Sequence, residues 1–284
     1  AINNPPELSN IDNSKSFNEG EDPVVLSSSL NLSDIDNTRI ESATVRISNN
    51  HYATEDRLGF TDDPIDNISG AYDSATGVLT LNGSDRIANY RTALQSVTYN
   101  NTSNNPTTVQ RTISWQVDDG TDSSSLISST VNLQASNDKP VLGSVDGTLN
   151  FVEGDGPTIL NGSLSFDDAD NTHIASATIS ISENHGATQD VLGFIDQNNI
   201  IGSYNSATGT LTLSGSDSIA NYRTALQSIT YNNISEHPIT AQRTISWQVY
   251  DGSEFSIPTN SYVKLTAINN PPELSNIDNS KSFN

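Results

Sequence analysis

Cysteine and methionine are both missing from this chain of 284 residues, and cationic side chains are scarce. Without thiols neither a disulfide framework nor a thiolate zinc site can form, so stability must come from burial, repeat contacts or hard metal ions. Only 12 Lys and Arg stand against 34 Asp and Glu, a formal net charge of −22. Such a surface repels a phosphate backbone and an anionic lipid face, so neither a nucleic-acid partner nor membrane insertion is expected. No apolar run approaches the ~20 residues that span a bilayer, and no charged-then-apolar leader opens the chain. The missing initiator methionine is what an internal stretch of a longer protein shows. Lack of thiols, acidity and the repeats described below together point to an extracellular or cell-surface location.

Catalytic signatures are as sparse. The four histidines are His51, His173, His185 and His237, and only His51 and His185 occupy matching places. There is no Gly-x-Ser-x-Gly elbow, phosphate loop or His-Glu-x-x-His. A glycosidase needs one carboxylate pair in one cleft, whereas the acidic groups here recur with the repeat. The expectation is that this is not an enzyme.

What is present is a long internal repeat. Residues 1–18 return unchanged as residues 267–284, and Ala135-Ser136-Asn137-Asp138-Lys139-Pro140 opens a diverged copy between them. Copies begin at positions 1, 135 and 267, so the expected modules are 1–134 and 135–266, with 267–284 the first strand of a truncated third. Ile87–Ser96 matches Ile219–Ser228, and Arg111–Val117 matches Arg243–Val249. The second copy is two residues shorter between Phe194 and Tyr204, which marks a surface connection.

Apolar residues mostly alternate, as in Ala43-Val45-Ile47, Leu79-Leu81 and Ile113-Trp115-Val117. Period two with β-branched and aromatic residues signals strands with one buried face. Turn residues such as Asn82-Gly83, Asp119-Gly120, Asn161-Gly162 and Asp251-Gly252 punctuate them. The fold class is therefore all-β, with tandem immunoglobulin-like antiparallel β-sandwiches. Ser84–Leu94 departs from the alternation, with apolar residues at helical spacing behind a Ser/Asp start suited to capping. It predicts one short helix per module, crossing between sheets. Trp115 and Trp247 occupy equivalent core positions.

Carboxylates stand at fixed offsets in each copy. Asp168 and Asp170 follow Asn137-Asp138 by about thirty residues, Asp34 and Asp36 follow Asn4 likewise, and Asp119 and Asp251 sit at hairpin tips. In an immunoglobulin-like topology those loops share the end where the chain comes in, so Asp168, Asp170 and Asp251 should gather around Asn137 and Asp138. The preceding module's first-to-second strand corner supplies Glu19 and Glu21, with Asp85 expected at that same end. Glu153 and Asp217 are the second copy's counterparts of Glu19 and Asp85. Carboxylates within ~4 Å repel by about 1 kcal/mol per pair in water, and more where partly buried. Oxygen donors from several segments suit Ca2+, which accepts irregular shells, whereas zinc and copper lack their histidines and thiols.

The linker Asn-Asn/Asp-x-Pro, the early Glu19, the Asp-x-Asp and the Asp85-Arg86 step resemble the cadherin calcium-site series. Ser-Ala-Thr-Gly-x-Leu-Thr-Leu, Tyr-Arg-Thr-Ala-Leu-Gln-Ser-x-Thr-Tyr-Asn-Asn and Arg-Thr-Ile-Ser-Trp-Gln-Val-x-Asp-Gly resemble bacterial cadherin-like, proteoglycan-type repeats of giant secreted adhesins. The resemblance covers essentially the whole chain. It implies a calcium-rigidified extender or adhesion module whose intermodule site uses Glu19, Asp85, Asn137, Asp138, Asp168, Asp170 and Asp251. The implied partners are neighbouring repeats. Asn3-Asn4 and Asn269-Asn270 lack the acidic linker residue, implying fewer or weaker ions there. The alternative is a carbohydrate-binding or homophilic module, using surface glycans or another copy, with Tyr52, Tyr72, Tyr99, Tyr204, Tyr231 and Tyr250 as stacking candidates.

Overall fold

The computed structural model describes residues 3–145 and 147–272. The chain divides into two compact all-β units, Ala1–Ser136 and Asn137–Asn284. Of the expected truncated third copy, residues 273–284 lie outside the described residues.

The first unit contains β1 (Glu7–Ser9), β2 (Ser14–Asn18), β3 (Val24–Val25), β4 (Asn31–Ser33), β5 (Arg39–Asn49), β6 (Asp56–Gly59) and β7 (Ser69–Asp73). Then come β8 (Val78–Arg86), α1 (Ile87–Gln95), β9 (Thr98–Asn101), β10 (Arg111–Asp118) and β11 (Ile127–Gln134). A six-stranded sheet of order β2-β11-β10-β5-β8-β7 faces a layer made of the sheet β3-β9-β6 and the pair β1-β4.

The second unit repeats the plan with β12 (Val141–Gly143), β13 (Thr148–Val152), β14 (Thr158–Ile159), β15 (Ser165–Asp167), β16 (His173–Glu183), β17 (Asp190–Gly193) and β18 (Ile201–Asn205). It closes with β19 (Thr210–Ser218), α2 (Ile219–Gln227), β20 (Thr230–Asn233), β21 (Arg243–Tyr250) and β22 (Thr259–Thr266).

The alternation read from the sequence sets the core. Ala43, Val45 and Ile47 of β5 are all buried, as are Leu79 and Leu81 of β8 and Ile113, Trp115 and Val117 of β10. Each Trp is fully buried, and its indole N–H is satisfied by a serine hydroxyl of the last strand, Ser129 at 3.0 Å and Ser261 at 2.8 Å. Phe17 packs edge-on against Tyr99, and Phe151 against Tyr231, with centroids 5.5 and 5.1 Å apart.

The helix forms and links the two sheets, but it starts at Ile87 rather than Ser84, because β8 runs on through Asn82-Gly83 to Arg86, and its cap differs. Arg86 holds the cap position of α1 without a side-chain bond, whereas Ser218 caps α2 by accepting the Asn221 N–H. Ser84 is drawn away, donating its hydroxyl to Glu41. Tyr90 and Tyr222 anchor the helices by donating to the carbonyls of Gly83 and Gly215. Those glycines have φ of +127° and +116°, and a Cβ on Gly83 would lie 1.9 Å from the Asn67 carbonyl oxygen. Gly83→Ala is therefore expected to destabilise the first unit by about 2 kcal/mol or more, and Gly147→Ala, in open space, by very little. Urea unfolding of both variants checks this.

One pairing in each unit is not antiparallel. β2 runs parallel to β11, and β13 to β22. The opening strand is split: β1 pairs with β4, the chain turns at Asn10 (φ 52°), and β2 joins the other sheet.

Each unit also buries an ion-pair network on strands far apart in sequence. Asp56 and Arg111 are fully buried and 3.1 Å apart, and Asp56 also accepts from Tyr99 at 2.6 Å and Asn101 at 3.1 Å. In the second unit Asp190 accepts from Arg243 at 3.1 Å, Tyr231 at 2.6 Å and Asn233 at 2.7 Å. Every carboxylate oxygen in these networks is satisfied, the condition under which a buried charge pair is tolerated.

Candidate metal centre

The loops at the end where each unit's chain comes in are built from Asp and Asn side chains that bond one another. In the second unit Asn137 donates to Asp251 at 2.9 Å, and Asn171 donates to Asn137 at 3.0 Å and to Asp170 at 3.2 Å. Asp168 accepts the backbone N–H groups of Asp170 and Asn171 on Oδ1, an Asx turn that aims Oδ2 inward. Asp251 likewise accepts from Ser253 and Glu254 at its hairpin tip. In the first unit Asn3 donates to Asp119 and Asp122, both at 2.9 Å, Asn37 donates to Asn3 at 2.7 Å, and Asp36 accepts from the Asn4 backbone. Asp34 holds the Asp36 and Asn37 amides as Asp168 holds theirs.

Burial and charge differ among these groups. Burial raises Asp168, which is only 8% exposed, and the neighbouring Asp170 carboxylate adds to the rise. Burial also raises Asp251 and Asp119, but amide donors outweigh it, chiefly Asn137 for Asp251 and Asp122 for Asp119, and both fall below the usual carboxylate range.

At the opposite end, where β11 finishes, Glu19 accepts the Ser136 N–H at 2.9 Å. Its counterpart Glu153 is buried and accepts from the Ile268 N–H at 3.0 Å and the Asn270 amide at 2.8 Å. Glu21 instead closes its own turn, accepting both the N–H and side-chain amide of Asn18.

Asp85 is not at that end, contrary to expectation. It pairs with Ile40 at the start of β5, while Asn18 pairs with Gln134 at the finish of β11. Antiparallel pairing of β8 with β5 puts the close of β8 beside the opening of β5, so Asp85 and Glu19 lie at opposite ends of the module. Its oxygens are taken up by the Asn67 and Arg86 N–H groups and the Asn89 amide, which together hold it below the ordinary range. Asp217 does the same work with Asn199, Ser218 and Asn221. Both pin a loop to a helix start.

The donor set fits a hard cation. Buried carboxylate oxygens with no hydrogen-bond partner occur, among the described residues, at Glu19, Asp34, Asp138 and Asp168, all residues singled out from the sequence. An unpartnered buried oxygen on an ionised group costs upward of ~1–3 kcal/mol, a cost a bound ion removes. Among the described residues no three Asp, Glu or His side chains already converge as a closed shell. The amides of Asn137 and Asn171 stand between the carboxylates, so binding requires those amides to turn their oxygens inward.

Sequence reasoning missed the bridging role of Asn37 and Asn171, although both follow Asp-x-Asp directly in the two copies. It also missed Glu236, which stands where the first copy has Asn104 and whose carboxylate receives Asn270 at 3.3 Å. The stacking tyrosines have internal duties. Tyr99 and Tyr231 are fully buried, and Tyr72 and Tyr204 donate to the carbonyls of Asp56 and Asp190. Burial, with Asp56 nearby, pushes Tyr72 up to about 12. Tyr250 lies against Phe255 at 4.4 Å.

No family model matches the chain. Halomucin of Haloquadratum walsbyi is 25% identical over 332 residues, an alignment covering 80% of this chain and 4% of that protein. This chain thus spans a small fraction of its curated relative. Among solved structures, human Protocadherin-24 EC1-2 is 14% identical, covering 93% of this chain and all of that one, with a TM-score of 0.27. The extracellular cadherin domains 1–5 of Protocadherin Gamma B2 are 13% identical over 95% of this chain and 42% of that one, with a TM-score of 0.34. The C-terminal domain of the Streptococcus pyogenes antigen I/II-family protein AspA is 10% identical over 78% and 84%, with a TM-score of 0.23. Similarities of this size say nothing about function. No helix among the described residues is long and apolar enough to cross a membrane.

Proposed function

We propose that this chain is an extracellular extender or adhesion module of a large repeat protein, in which Ca2+ stiffens the passage from one repeat to the next. The observation that carries the reading is the set of unpartnered buried carboxylate oxygens on Glu19, Asp34, Asp138 and Asp168. Asp138, Asp168, Asp170 and Asp251, with the side-chain carbonyl of Asn137, would hold the ion in the second unit. Asp34, Asp36 and Asp119 would do so in the first. Bound calcium supplies charge neutralisation and a fixed coordination geometry, so the linker residues Asn137 and Asp138 become tied to the loops of their own unit. Glu19 already ties Ser136, the preceding residue, to the first unit. A net charge of −22 also favours divalent counter-ions over anionic partners. The bacterial-adhesin form of this reading rests on the motif resemblance, and a glycan or second-copy partner remains the alternative.

Calorimetric calcium titration of the chelator-treated chain, followed by small-angle scattering with and without the ion, tests the proposal. Saturable binding at about 10⁻⁴–10⁻³ M with a stiffer, more extended particle is expected. No heat of binding and an unchanged scattering curve would sink it. Saturable binding on a glycan array that ignores calcium would favour the alternative.

A further inference from the structure

We propose that the outward face of the second unit's six-stranded sheet, of order β13-β22-β21-β16-β19-β18, binds a neutral polysaccharide chain, and that the same face of the first unit does not. This gives the glycan alternative one surface on one unit. It stands whether or not the linker loops hold an ion.

The two copies differ there in charge. Glu41 and Arg46 of β5, Asp73 of β7 and Asp118 of β10 give way in the second copy to Ala175, Ser180, Asn205 and Tyr250. In the first unit one row across the sheet reads Ser128, Ser114, Arg46, Val78, Asp73. Its equivalent reads Asn260, Ser246, Ser180, Thr210, Asn205, with a hydroxyl or amide on every strand and no charge. The next row, Gln248, Thr178, Thr212 and Ser203, is of the same kind. Glu183 and Lys264, which these strands gain, lie at the far end of the sheet from Tyr250.

Loss of charge removes the desolvation penalty of covering the face with an uncharged partner. Protein interfaces are poor in serine and rich in aromatic residues and arginine, whereas this face is mainly Ser and Thr, so a second protein surface fits it badly. A sugar hydroxyl both donates and accepts, which Ser, Thr, Asn and Gln side chains match. Among the described residues Thr178, Ser180, Thr212 and Ser246 spend their hydroxyls on no other group, and Gln248 donates to the Ser256 carbonyl at 2.9 Å, leaving its oxygen to accept. At one end of the face Tyr250 stacks on Phe255, which is 52% exposed, with centroids 4.4 Å apart. The first unit has Asp118 bonded to Ser123 in that place. The aromatic pair is an apolar ledge for the C–H side of a sugar ring. Five strands at about 4.8 Å span roughly 19 Å of open sheet, which suits an extended chain, since a small molecule needs a concave site. Sheet twist favours a soluble chain that follows it over a crystalline surface.

Native affinity electrophoresis of the full chain tests this, in gels carrying hydroxyethylcellulose, xyloglucan, galactomannan or starch, each with chelator and with calcium. Polygalacturonate is the anionic control. At least one neutral polymer should retard the chain equally with and without calcium, and polygalacturonate should not. Ser180→Arg combined with Asn205→Asp and Tyr250→Asp gives the second unit residues on which the first unit already folds, and should weaken binding at least about tenfold. Thr212→Arg should weaken it alone, while Thr80→Arg, its counterpart in the first unit, should leave it unchanged. No retardation by any neutral polymer overturns the proposal, and so does binding that survives the triple variant or is lost in Thr80→Arg. Dimerisation in sedimentation that the triple variant abolishes would overturn it too, by assigning the face to a second copy. Calcium heats measured on the unmodified chain report the ion reading separately.

Discussion

Asp190→Ala should destabilise the second unit by about 3–5 kcal/mol, because it strands the Arg243 guanidinium as an unpaired charge in a fully buried site. Arg243 is fully buried, and its remaining bonds go to the Ile239 and Ala241 carbonyls, which cannot neutralise it. Tyr231 and Asn233 lose their acceptor in the same step. Arg243→Met should cost a similar amount by leaving Asp190 unpaired, and the double variant should cost clearly less than the sum. Denaturant unfolding in a Trp115→Phe background, where Trp247 alone reports, measures the second unit by itself. Additive costs would show that the two residues act apart.

The same site sets an acid limit. Burial raises Asp190, but the bonds from Arg243, Tyr231 and the Gly186 N–H outweigh it, and the carboxyl sits below its ordinary value. A depressed folded pKa contributes stability that is complete above the unfolded value of ~3.9 and is lost as pH falls through the folded value. The wild-type second unit should therefore weaken below about pH 4, and Asp190→Ala, with nothing left to protonate, should lose less over that range. Parallel pH dependence in the two proteins would assign the acid sensitivity elsewhere.

None of this network was assigned from the sequence, and the reason is physical. Period-two alternation reports which side of a strand faces inward, and Arg111 and Arg243 were read only as repeat landmarks preceding Ile-Ser-Trp. Their partners Asp56 and Asp190 lie more than fifty residues away, and no local pattern reports a contact of that separation. The strands, the helix and the buried Trp residues were legible because each depends on local periodicity or a local turn. That the loops carrying Asp168, Asp170 and Asp251 share one end of the unit follows from the antiparallel register of β16 against β21. The place of Asp85 was misread because a motif carries no direction. Only the register of β8 against β5 reveals which end of the module its last residues reach.

Asp168→Asn should reverse the order of stability between calcium-free and calcium-bound protein. Without calcium, burial and the neighbouring Asp170 carboxylate disfavour the charged form of Asp168. Its folded pKa is raised, so it opposes folding once pH exceeds the unfolded value near ~3.9, most fully above the folded value. Asn removes that charge while keeping the carbonyl that accepts the Asp170 and Asn171 amides, so the calcium-free variant should be at least as stable as wild type. With calcium ~100-fold above its dissociation constant, wild type gains about 2.7 kcal/mol per site while the variant, short of one anionic donor, gains much less. Melting curves of the second unit should therefore cross, the variant ahead in chelator and behind in calcium. A variant that lags in both conditions would make Asp168 an ordinary structural turn residue. One that leads in both would mean the inward-facing oxygen of Asp168 never meets a cation.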